Sequence, residues 1–519
     1  MSRARATLSS LIAMSALPLI AGCVVGSHYR RPSLPPAQRY SPAPLPSSTA
    51  ATPGIAAGAA QSFSTTEAIS AQWWTLFRSP ELNRLIGHAF AANPTIDAAV
   101  AALKEAQENV YAQRGYFYPT VQVSYQGERT RLSGNTATSS APGVQGNGEN
   151  ISPLGPAEPV TYNFHTAQLT VGYVPDVFGA NRRQVESLQA QADAARYQLD
   201  AAYVTLASNV VAAAIQEAST RAQIAAVRQI IRSNQHSLRI LRNQRRLGYA
   251  AGLDVAQQEL ALAQAQALLP PLTRQLAQTR DLIRALAGNA PDEDVPETFT
   301  LAALHLPEQL PLSLPSHLIE QRPDVLAAEE QVRSASAQVG VAVANRLPQF
   351  ALTAALGGQA NRITQMFWGS GTFWSVLGSA SQPLFDAGTL RHRQNAAEQA
   401  LAQSAAQYRS TVLTAFQNVA DTLQALYSDA DALRSAVAVE RAARVTLHVT
   451  QEQFHAGYAN GLAVLTARQA YQQAVIARVQ AQAARLGDTA ALFEALGGGW
   501  WNEPPGSTLG QNDRPLALQ

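Results

Sequence analysis

Charge is scarce in this sequence, and lysine is almost missing. Charged residues make up 14% of the 519 residues, and the formal net charge is +2. Because a nucleic-acid-binding protein needs a concentrated basic surface, this composition argues against nucleic acid as a partner. Lys104 is the single lysine, which excludes a phosphate-binding loop that depends on lysine.

Long apolar runs are missing beyond the N-terminus. Hydrophobic residues make up 46% of the sequence, yet they are interrupted before they reach the roughly 18 residues of a membrane-spanning helix. We therefore predict no conventional transmembrane helix. If the chain enters a membrane, it must do so as a β-barrel, which also satisfies every backbone polar group within lipid.

Cysteine occurs once, at Cys23, which excludes an internal disulfide and a cysteine-based metal cluster. Residues 1–22 have the basic start and apolar stretch of a secretory signal, and "LIAGC" at 19–23 is typical of a bacterial lipoprotein signal. We predict a covalent lipid on Cys23 and no other cofactor; an ordinary signal peptide is the alternative. Val24 stands where inner-membrane lipoproteins usually carry aspartate, so we expect anchoring in the outer membrane, facing the periplasm.

A short phrase occurs twice, as "RLGYAAGLDVAQ" at 246–257 and "HAGYANGLAVLT" at 455–466. Two glycines, a tyrosine, a leucine and a valine match at a constant separation of 209 residues. Two unrelated turns are the alternative, but unrelated turns rarely share so many residues. The phrase therefore indicates an internal duplication.

The duplication extends well beyond this phrase. Residues 93–123 resemble 322–352 at a separation of 229 residues, whereas Gly179 and Gly388 are separated by 209. The first copy must therefore carry about 20 extra residues between these points. We assign them to residues 129–160, whose glycine, serine, asparagine and proline content is typical of a loop.

Each copy begins with a predicted helix, at 94–118 and 323–347, followed by alternating apolar and polar residues. The alternation predicts a β-hairpin in each copy, and so four strands per chain. Four aromatic residues flank the turn of the second hairpin: Phe367, Trp368, Phe373 and Trp374. Such residues suit a membrane–water interface, and the alternative is a small soluble hairpin with a buried aromatic cluster.

Very long helices are predicted after the hairpins, at about residues 178–247 and 388–456, since neither stretch contains proline. At 1.5 Å per residue, about 70 residues extend roughly 100 Å. Apolar residues from Val412 to Val437 are spaced alternately by four and three, which is a coiled-coil seam. Abundant alanine lets helices pack closely on two sides, as in a closed ring of helices. An isolated two-stranded coiled coil is the alternative.

Both long helices are predicted to end at the repeated phrase. Gly248 and Gly457 suit the left-handed conformation that stops a helix. A returning helix follows in each copy, at 253–287 and 462–496. The proline pair at 270–271 should kink the first of these.

Four strands cannot close into a barrel on their own. They leave two exposed edges, whose backbone groups hydrocarbon does not satisfy. The membrane interpretation therefore implies oligomerisation, although the strand count alone leaves two, three or four copies open.

Several segments together resemble one protein family. They are the lipoprotein signal at Cys23, "WWTLFRSPELNRLIGHAFAANPTIDAA" at 73–99, "EQRPDVLAAEEQV" at 320–332 and the two glycine-tyrosine phrases. On these residues the chain is similar to the TolC-like outer-membrane factors of bacterial tripartite efflux systems, in particular to their lipoprotein branch (the OprM/NodT type). The resemblance covers nearly all of the chain after the signal peptide.

The resemblance implies an α+β membrane protein that forms a homotrimer. A twelve-stranded β-barrel, with four strands from each chain, would open the outer membrane and continue into a 12-helix periplasmic α-barrel. The assembly would be a passive exit channel for drugs or other small toxic compounds, and not an enzyme. Expected partners are a periplasmic adaptor (membrane fusion) protein, an inner-membrane pump of the resistance-nodulation-division type, and outer-membrane lipid. The sequence identifies neither the transported compound nor the individual pump.

The same resemblance divides the chain into segments. They are a signal peptide at 1–22, a lipidated tether at 23–62, an equatorial segment at 63–92, the first repeat at 93–287, an equatorial connector at 288–321, the second repeat at 322–497 and a C-terminal tail at 498–519. We expect the proline-rich tether to be extended and without a core of its own. Trp73 and Trp74 are expected to pack in a core, with a ligand platform as the alternative.

Two kinds of site residue follow from the resemblance. The adaptor is expected to dock on helix tips formed by Gly248, Tyr249, Gly252, Gly457, Tyr458 and Gly461. In the family, a leucine ring and an aspartate ring constrict the periplasmic end, and an arginine nearby holds the closed state. Leu462 matches the leucine, but Thr466 stands at the aspartate position and Gln469 at the arginine position. Asp254 of the first tip is then the acidic gate residue, or alternatively a helix N-terminal residue favoured by the dipole.

Two other functions fit part of the sequence. An anchored periplasmic adaptor or scaffold explains the long helices and the lipid, but not the paired hairpins. A lipidated hydrolase is the second, yet the nine histidines are dispersed and neither a His-Glu-x-x-His nor a Gly-x-Ser-x-Gly motif occurs.

Overall fold

The computed structural model describes residues 25–26, 29–33, 39–42, 44, 46–64, 69–132, 160–312 and 315–502. Cys23, residues 133–159 of the predicted 129–160 loop and the tail beyond residue 502 lie outside the described residues. The described ends of that predicted loop, residues 129–132 and Val160, are strand instead. The chain divides into two compact units. The sheet unit comprises Met1–Arg30, Gln107–Ala190 and Arg333–Ala402, and the tip unit comprises Arg31–Ala106, Gln191–Val332 and Gln403–Gln519.

The strands of the described residues are β1 (Ser62–Ser64), β2 (Thr120–Leu132), β3 (Val160–Tyr173), β4 (Gln309–Pro311), β5 (Gln349–Ala360) and β6 (Thr372–Ser381). β1 and β4 pair in parallel in the tip unit. In the sheet unit, β2, β3, β5 and β6 form an antiparallel sheet in that order. Leu169 of β3 pairs with Val123 on one side and Leu356 on the other. The structure thus has both predicted hairpins, and they lie side by side in one sheet.

The helices are α1 (Pro80–Ala92), α2 (Pro94–Arg114), α3 (Ala180–Arg246), α4 (Gly252–Ala267), α5 (Leu269–Leu286), α6 (Pro315–Gln321), α7 (Pro323–Ala344), α8 (Thr389–His455) and α9 (Gly461–Ala495). α3 and α8 each have 67 residues, close to the predicted length. The first returning helix is divided into α4 and α5 at Leu268, close to the kink predicted at the proline pair. The proline pair at 270–271 opens α5, where the missing proline N–H groups cost no helical hydrogen bond.

The predicted seam of α8 is largely buried. Its fully buried members are Val412, Val419, Leu423, Leu426, Ala430 and Leu433. Phe416 and Val437 are only half-buried, and Ala415 is buried in place of Phe416. Spacing by four and three therefore predicts which face of this helix is covered.

One described helix, α3, is long and apolar enough to cross a membrane by composition alone. Half of its most apolar stretch is buried inside the protein, as in the core helix of a soluble protein. Its fully buried alanines, such as Ala194, Ala214 and Ala218, indicate close helix packing. This helix is therefore weak evidence for a membrane span.

Aromatic side chains form a core in the tip unit near the start of α1. Trp73 is buried and stacks on Phe493, with ring centroids 5.2 Å apart. Phe77 and Trp74 each contact Trp73 edge to face. The paired tryptophans are core residues, as the sequence predicts.

Part of the predicted tether is folded. Arg485 of α9 is fully buried and donates hydrogen bonds to the Ala57 carbonyl at 3.0 Å and the Ala59 carbonyl at 2.6 Å. Thr49 and Gln61 at the ends of this segment are also buried. The expectation of an extended tether without a core is therefore wrong for residues 46–61. Their proline, serine and alanine content does not reveal that a distant arginine binds their carbonyl groups.

Candidate functional site

Both long helices end at a left-handed glycine. Gly248 follows α3 with φ 83°, and Gly457 follows α8 with φ 78°. At the first tip, the Tyr249 N–H donates to the Gln244 carbonyl at 2.8 Å, and the Gly248 N–H donates to the Arg245 carbonyl at 3.0 Å. This pair of hydrogen bonds is a Schellman motif, which satisfies carbonyl groups that a helix end otherwise leaves free.

The second tip has the same geometry. The Tyr458 N–H donates to the Gln453 carbonyl at 2.8 Å, and the Gly457 N–H donates to the Phe454 carbonyl at 3.1 Å. A side chain at the glycine would strain this backbone conformation. The repeated phrase of the sequence therefore encodes a repeated turn.

The helices that follow the two tips are capped differently. At the second tip, Asn460 Oδ1 accepts the Ala463 N–H at 2.9 Å, as an N-cap side chain does. At the first tip the N-cap is Ala251, and Asp254 Oδ2 accepts the Ala251 N–H at 3.1 Å. Each tip thus has one half of a capping box, and Asp254 stabilises a helix N-terminus whether or not it also faces a gate.

The structure brings the two tips of one chain side by side. A Cβ atom built on Gly461 would lie 3.9 Å from Asp254 Oδ1. Farther along the helices, Gln469 Nε2 of α9 donates to Gln264 Oε1 of α4 at 3.3 Å. α9 of the second copy therefore packs on α4 of the first, and the predicted docking residues belong to one end of the tip unit.

Arg468 is a residue of this region that the sequence analysis missed. Its Nη1 donates to Ser237 Oγ of α3 at 2.6 Å, and burial lowers the pKa of its guanidinium. It precedes Gln469, which stands at the arginine position of the family. A shift of one residue turns a side chain about 100° around a helix. Position in the sequence therefore did not show that Arg468 reaches α3.

Side chains of both tips are open to solvent. Tyr249 is 82% exposed and Tyr458 is 87% exposed. Leu462, predicted to line the gate, is exposed as well. Thr466 is exposed, and its hydroxyl donates to the Leu462 carbonyl at 3.0 Å. The second tip consequently presents apolar and neutral groups where an aspartate was expected from the family.

The sheet also exposes large apolar side chains. Val123 of β2 and Trp374 of β6 are each 76% exposed. Phe367 and Trp368 beside the second hairpin turn are exposed too, whereas Phe373 is half-buried. Large apolar side chains with this exposure are typical of a surface that contacts a partner or a membrane. The alternative of a buried aromatic cluster is therefore wrong for three of the four aromatic residues.

The first junction is the segment between β3 and α3, and the second is the segment between β6 and α8. The exposure of their aromatic and apolar side chains differs. After β6, Leu384 and Phe385 are 97% and 91% exposed. After β3, Phe178 is half-buried, and its ring centroid lies 6.4 Å from that of Phe350. The second junction is thus bare in the part of the chain that the structure describes.

A family model described as "Outer membrane efflux protein" matches residues 85–289 and 314–498. This chain belongs to that family. The two matched ranges fall on the two copies of the repeat, so both copies carry the family's sequence pattern.

Individual relatives agree with the family. Over 436 residues, the chain is 28% identical to the pyoverdine export outer membrane protein OpmQ of Pseudomonas putida, covering 84% of this chain and 89% of that protein. Over 440 residues, it is 28% identical to the toluene efflux pump outer membrane protein TtgF of Pseudomonas putida, covering 83% and 86%. The solved outer-membrane channel OprN superposes with a TM-score of 0.78 at 26% identity, over 92% of this chain and all of that one.

The chain is therefore a TolC-like outer-membrane factor, the outer-membrane exit channel of a tripartite efflux pump. It lies in the outer membrane and extends into the periplasm. Members of the family are channels rather than enzymes. Among the described residues, no group of three or more His, Cys, Asp or Glu side chains is placed to hold a metal ion.

Proposed function

We propose that three copies of this chain form the channel, with their sheets closed into one twelve-stranded β-barrel and their helices into a 12-helix periplasmic α-barrel. The observation that carries this proposal is the apolar surface at both edges of the sheet, on Val123 of β2 and Trp374 of β6. Within the described ranges, β2 and β6 have no further strand beside them. Edge strands of this kind pair readily with another chain.

The bare second junction supports the same assembly. Inside one chain, β5 lies beside β3, and Phe350 of β5 partly covers Phe178 of the first junction. In a closed ring, β2 of a neighbouring copy lies beside β6 in the same relation. Val121 of β2, which is exposed and matches Phe350 at the separation of 229 residues, then lies beside the second junction of the preceding copy. All the interfaces are equivalent in such a ring.

We further propose that the periplasmic adaptor docks on the two tips. A Cβ atom added to Gly248 or Gly457 would meet no other atom within 4 Å, so a partner helix can approach the backbone there. Tyr249 and Tyr458 add exposed aromatic rings, which are enriched at protein interfaces. The adaptor couples the channel to an inner-membrane pump of the resistance-nodulation-division type, which supplies the energy. The channel itself conducts drugs or other small toxic compounds passively.

The gate is proposed to lie beside these tips. Three Leu462 side chains form an apolar constriction, Thr466 contributes no charge, and three Asp254 side chains form the acidic ring that remains. The hydrogen bonds from Arg468 to Ser237 and from Gln469 to Gln264 hold α9 against the first copy and so favour the closed state.

The lipid on Cys23 is part of the proposal, and it rests on the "LIAGC" pattern alone. Its acyl chains anchor the protein in outer-membrane lipid. No other cofactor is proposed.

The native mass of the protein in detergent, after extraction from outer membranes, tests the assembly. We expect a mass near three times that of the chain, whose full sequence has a mass of 55.2 kDa, after loss of the signal peptide and addition of lipid. A monomer would contradict the closed barrel.

Conductance through planar bilayers tests the gate. Because the acidic ring of the second tip is missing, a trivalent cation should block the wild-type channel weakly. Thr466→Asp should strengthen this block by about tenfold, since three carboxylates then face one another across the pore. Thr466→Asn, which has a similar shape without the charge, is the matched control. Equal block of all three proteins would contradict the proposed position of Thr466.

A further inference from the structure

A cavity of about 320 Å³ lies in the sheet unit, where β3 ends and α3 begins. Its walls are mostly apolar and include Tyr116, Val174, Val177, Phe178, Val341 and Phe350. The cavity is open on one side. Small-molecule sites typically have mostly apolar walls and volumes of about 300–1,000 Å³. This cavity has such walls and lies near the lower end of that range.

Most polar side chains in the walls bond to the protein itself. Gln113 donates to Asn181 Oδ1 at 2.6 Å, Gln184 accepts from Gln338 at 3.2 Å, and Gln349 donates to the Leu347 carbonyl at 3.0 Å. Asp176 accepts the backbone N–H groups of Asn181 and Arg182, each at 2.9 Å.

Asn181 Nδ2 is the exception among these groups. It is buried, and within the described residues it has no hydrogen-bond acceptor. This atom is enclosed by the protein and offers no surface to a ligand, so an occupant of the cavity would contact mainly the apolar side chains of its walls.

The N-terminal end of the described chain is fastened beside this cavity. The Val25 N–H donates to the carbonyl of Phe178, a wall residue, at 3.3 Å. The buried Arg183 donates from Nε to the Val25 carbonyl at 3.2 Å and from Nη2 to the Gly26 carbonyl at 3.3 Å. A Cβ atom on Gly26 would lie only 2.8 Å from the Gly340 Cα, so this close approach to α7 requires glycine.

Cys23 precedes Val25 by two residues, which span at most about 7 Å. We propose that this cavity binds one acyl chain of the lipid carried by Cys23. The inference rests on the proposed lipidation. An acyl chain tethered at this distance has an effective concentration in the millimolar range, which favours it over free phospholipid. Arg183 is the residue that positions the lipidated end.

Photo-crosslinking of the mature protein tests the inference. Cells are grown with a fatty acid that carries a diazirine, and the protein is purified from outer membranes and irradiated. The intact mass shows whether Cys23 carries lipid, and peptide mass spectrometry shows where the diazirine reacted. We expect cross-links from the Cys23 peptide to residues 174–184 and 341–350.

The outcomes separate the proposals. An unlipidated mature chain overturns lipidation and this inference together, while the channel proposal still stands or falls with the native mass and conductance. A lipidated chain whose cross-links lie elsewhere overturns this inference alone. Cross-links of the wall peptides to a free phospholipid, recognised by mass, also overturn it, because the occupant is then not the protein's own anchor.

Filling the cavity gives a second test. Val341→Phe places a larger side chain in the wall, whereas Val343→Phe makes the same change on α7 outside the wall. Cross-linking to residues 174–184 should fall at least fivefold in Val341→Phe and stay unchanged in Val343→Phe. The native mass of both variants checks assembly. Equal cross-linking in both correctly assembled variants would overturn the proposal.

Discussion

The two copies of the repeat share a backbone plan but differ in what covers them. The first junction between sheet and helix is partly covered within the chain, by contact of Phe178 with Phe350, whereas Leu384 and Phe385 of the second junction are bare. The two copies share turns and helix lengths, but the second junction lacks the cover that the first has within the chain. The second junction is therefore a place where the proposed trimer can be tested.

The helices of the two copies also differ in the irregular segments that their arginines bind. Each copy uses an arginine of its returning helices to hold an irregular segment, but at positions that do not match, and only Arg485 of the second copy is fully buried. In the first copy, Arg280 of α5 donates to the Glu297 carbonyl at 2.6 Å. In the second, Arg485 of α9 binds carbonyl groups of residues 50–59. Leu276 stands at the position that matches Arg485, 209 residues earlier, so only the second copy holds the N-terminal segment in this way.

The largest effect is expected at the second junction. Phe385→Asp should abolish the trimer, because every interface loses the burial of a phenyl ring, worth about 2–3 kcal/mol, and gains a carboxylate that must be desolvated. Native mass in detergent is the measurement. Phe385→Leu keeps an apolar side chain and should remain trimeric. An unchanged trimer in Phe385→Asp would mean that this junction faces solvent and does not contact a neighbouring copy.

Removing the second-copy arginine should have the next largest effect. Arg485→Ala leaves three partly buried carbonyl groups without this donor, opens a cavity at a fully buried position and should lower the free energy of unfolding by about 3 kcal/mol. Leu276→Ala, at the matched position, should cost only about 1 kcal/mol because Leu276 is half-buried. Thermal melting measures both effects, and limited proteolysis should cut residues 46–61 faster in Arg485→Ala alone. Equal losses of unfolding free energy in Arg485→Ala and Leu276→Ala would contradict the special role of Arg485 in the second copy.

A smaller difference between the two copies concerns how the free energy of unfolding depends on pH. The second copy has Asp429 and Asp488 where the first has Thr220 and Thr279. Burial and the neighbouring Asp488 carboxyl raise the pKa of Asp429 to about 7, and Arg485 opposes the shift. Because the folded state holds this proton more tightly than the unfolded chain does, the free energy of unfolding should fall as pH rises from about 4 to 7.

The expected fall is on the order of 1–2 kcal/mol, since partial exposure screens the interaction. Changing Asp429 and Asp488 to the threonines of the first copy should remove this slope. Melting temperatures between pH 4.5 and 8 make the comparison. If melting temperature depends on pH equally in the wild type and the double variant, other titratable groups cause the dependence.

The sequence predicted most of the elements because their signals are local. Strand alternation, proline-free helices and the glycines of the tips each depend on neighbouring residues. The seam of α8 is also a local pattern, although packing selected Ala415 over Phe416. The break at Leu268 was predicted only as a kink, since the effect of a proline pair depends on what the helix packs against.

Features that join distant parts of the chain were not predicted. Arg485 binds a segment more than 420 residues away, and Arg468 bonds to Ser237 across 231 residues. Nothing near either arginine in the sequence distinguishes it from an exposed one. The proline, serine and alanine content of residues 46–61 likewise suggested an extended tether, because composition alone does not show that a distant arginine binds their carbonyl groups.

The smallest effects are expected at the two tips, where the copies carry complementary halves of one capping arrangement. Asn460→Ala should free the Ala463 N–H and cost about 1 kcal/mol, and Asp254→Ala should free the Ala251 N–H and cost about 0.5 kcal/mol. Amide hydrogen exchange resolves the two tips. Each substitution should speed exchange at its own tip and leave the other unchanged, since each cap bonds only within its own helix start. Faster exchange at both tips from either change would instead show that the neighbouring tips open together, as one unit of the gate.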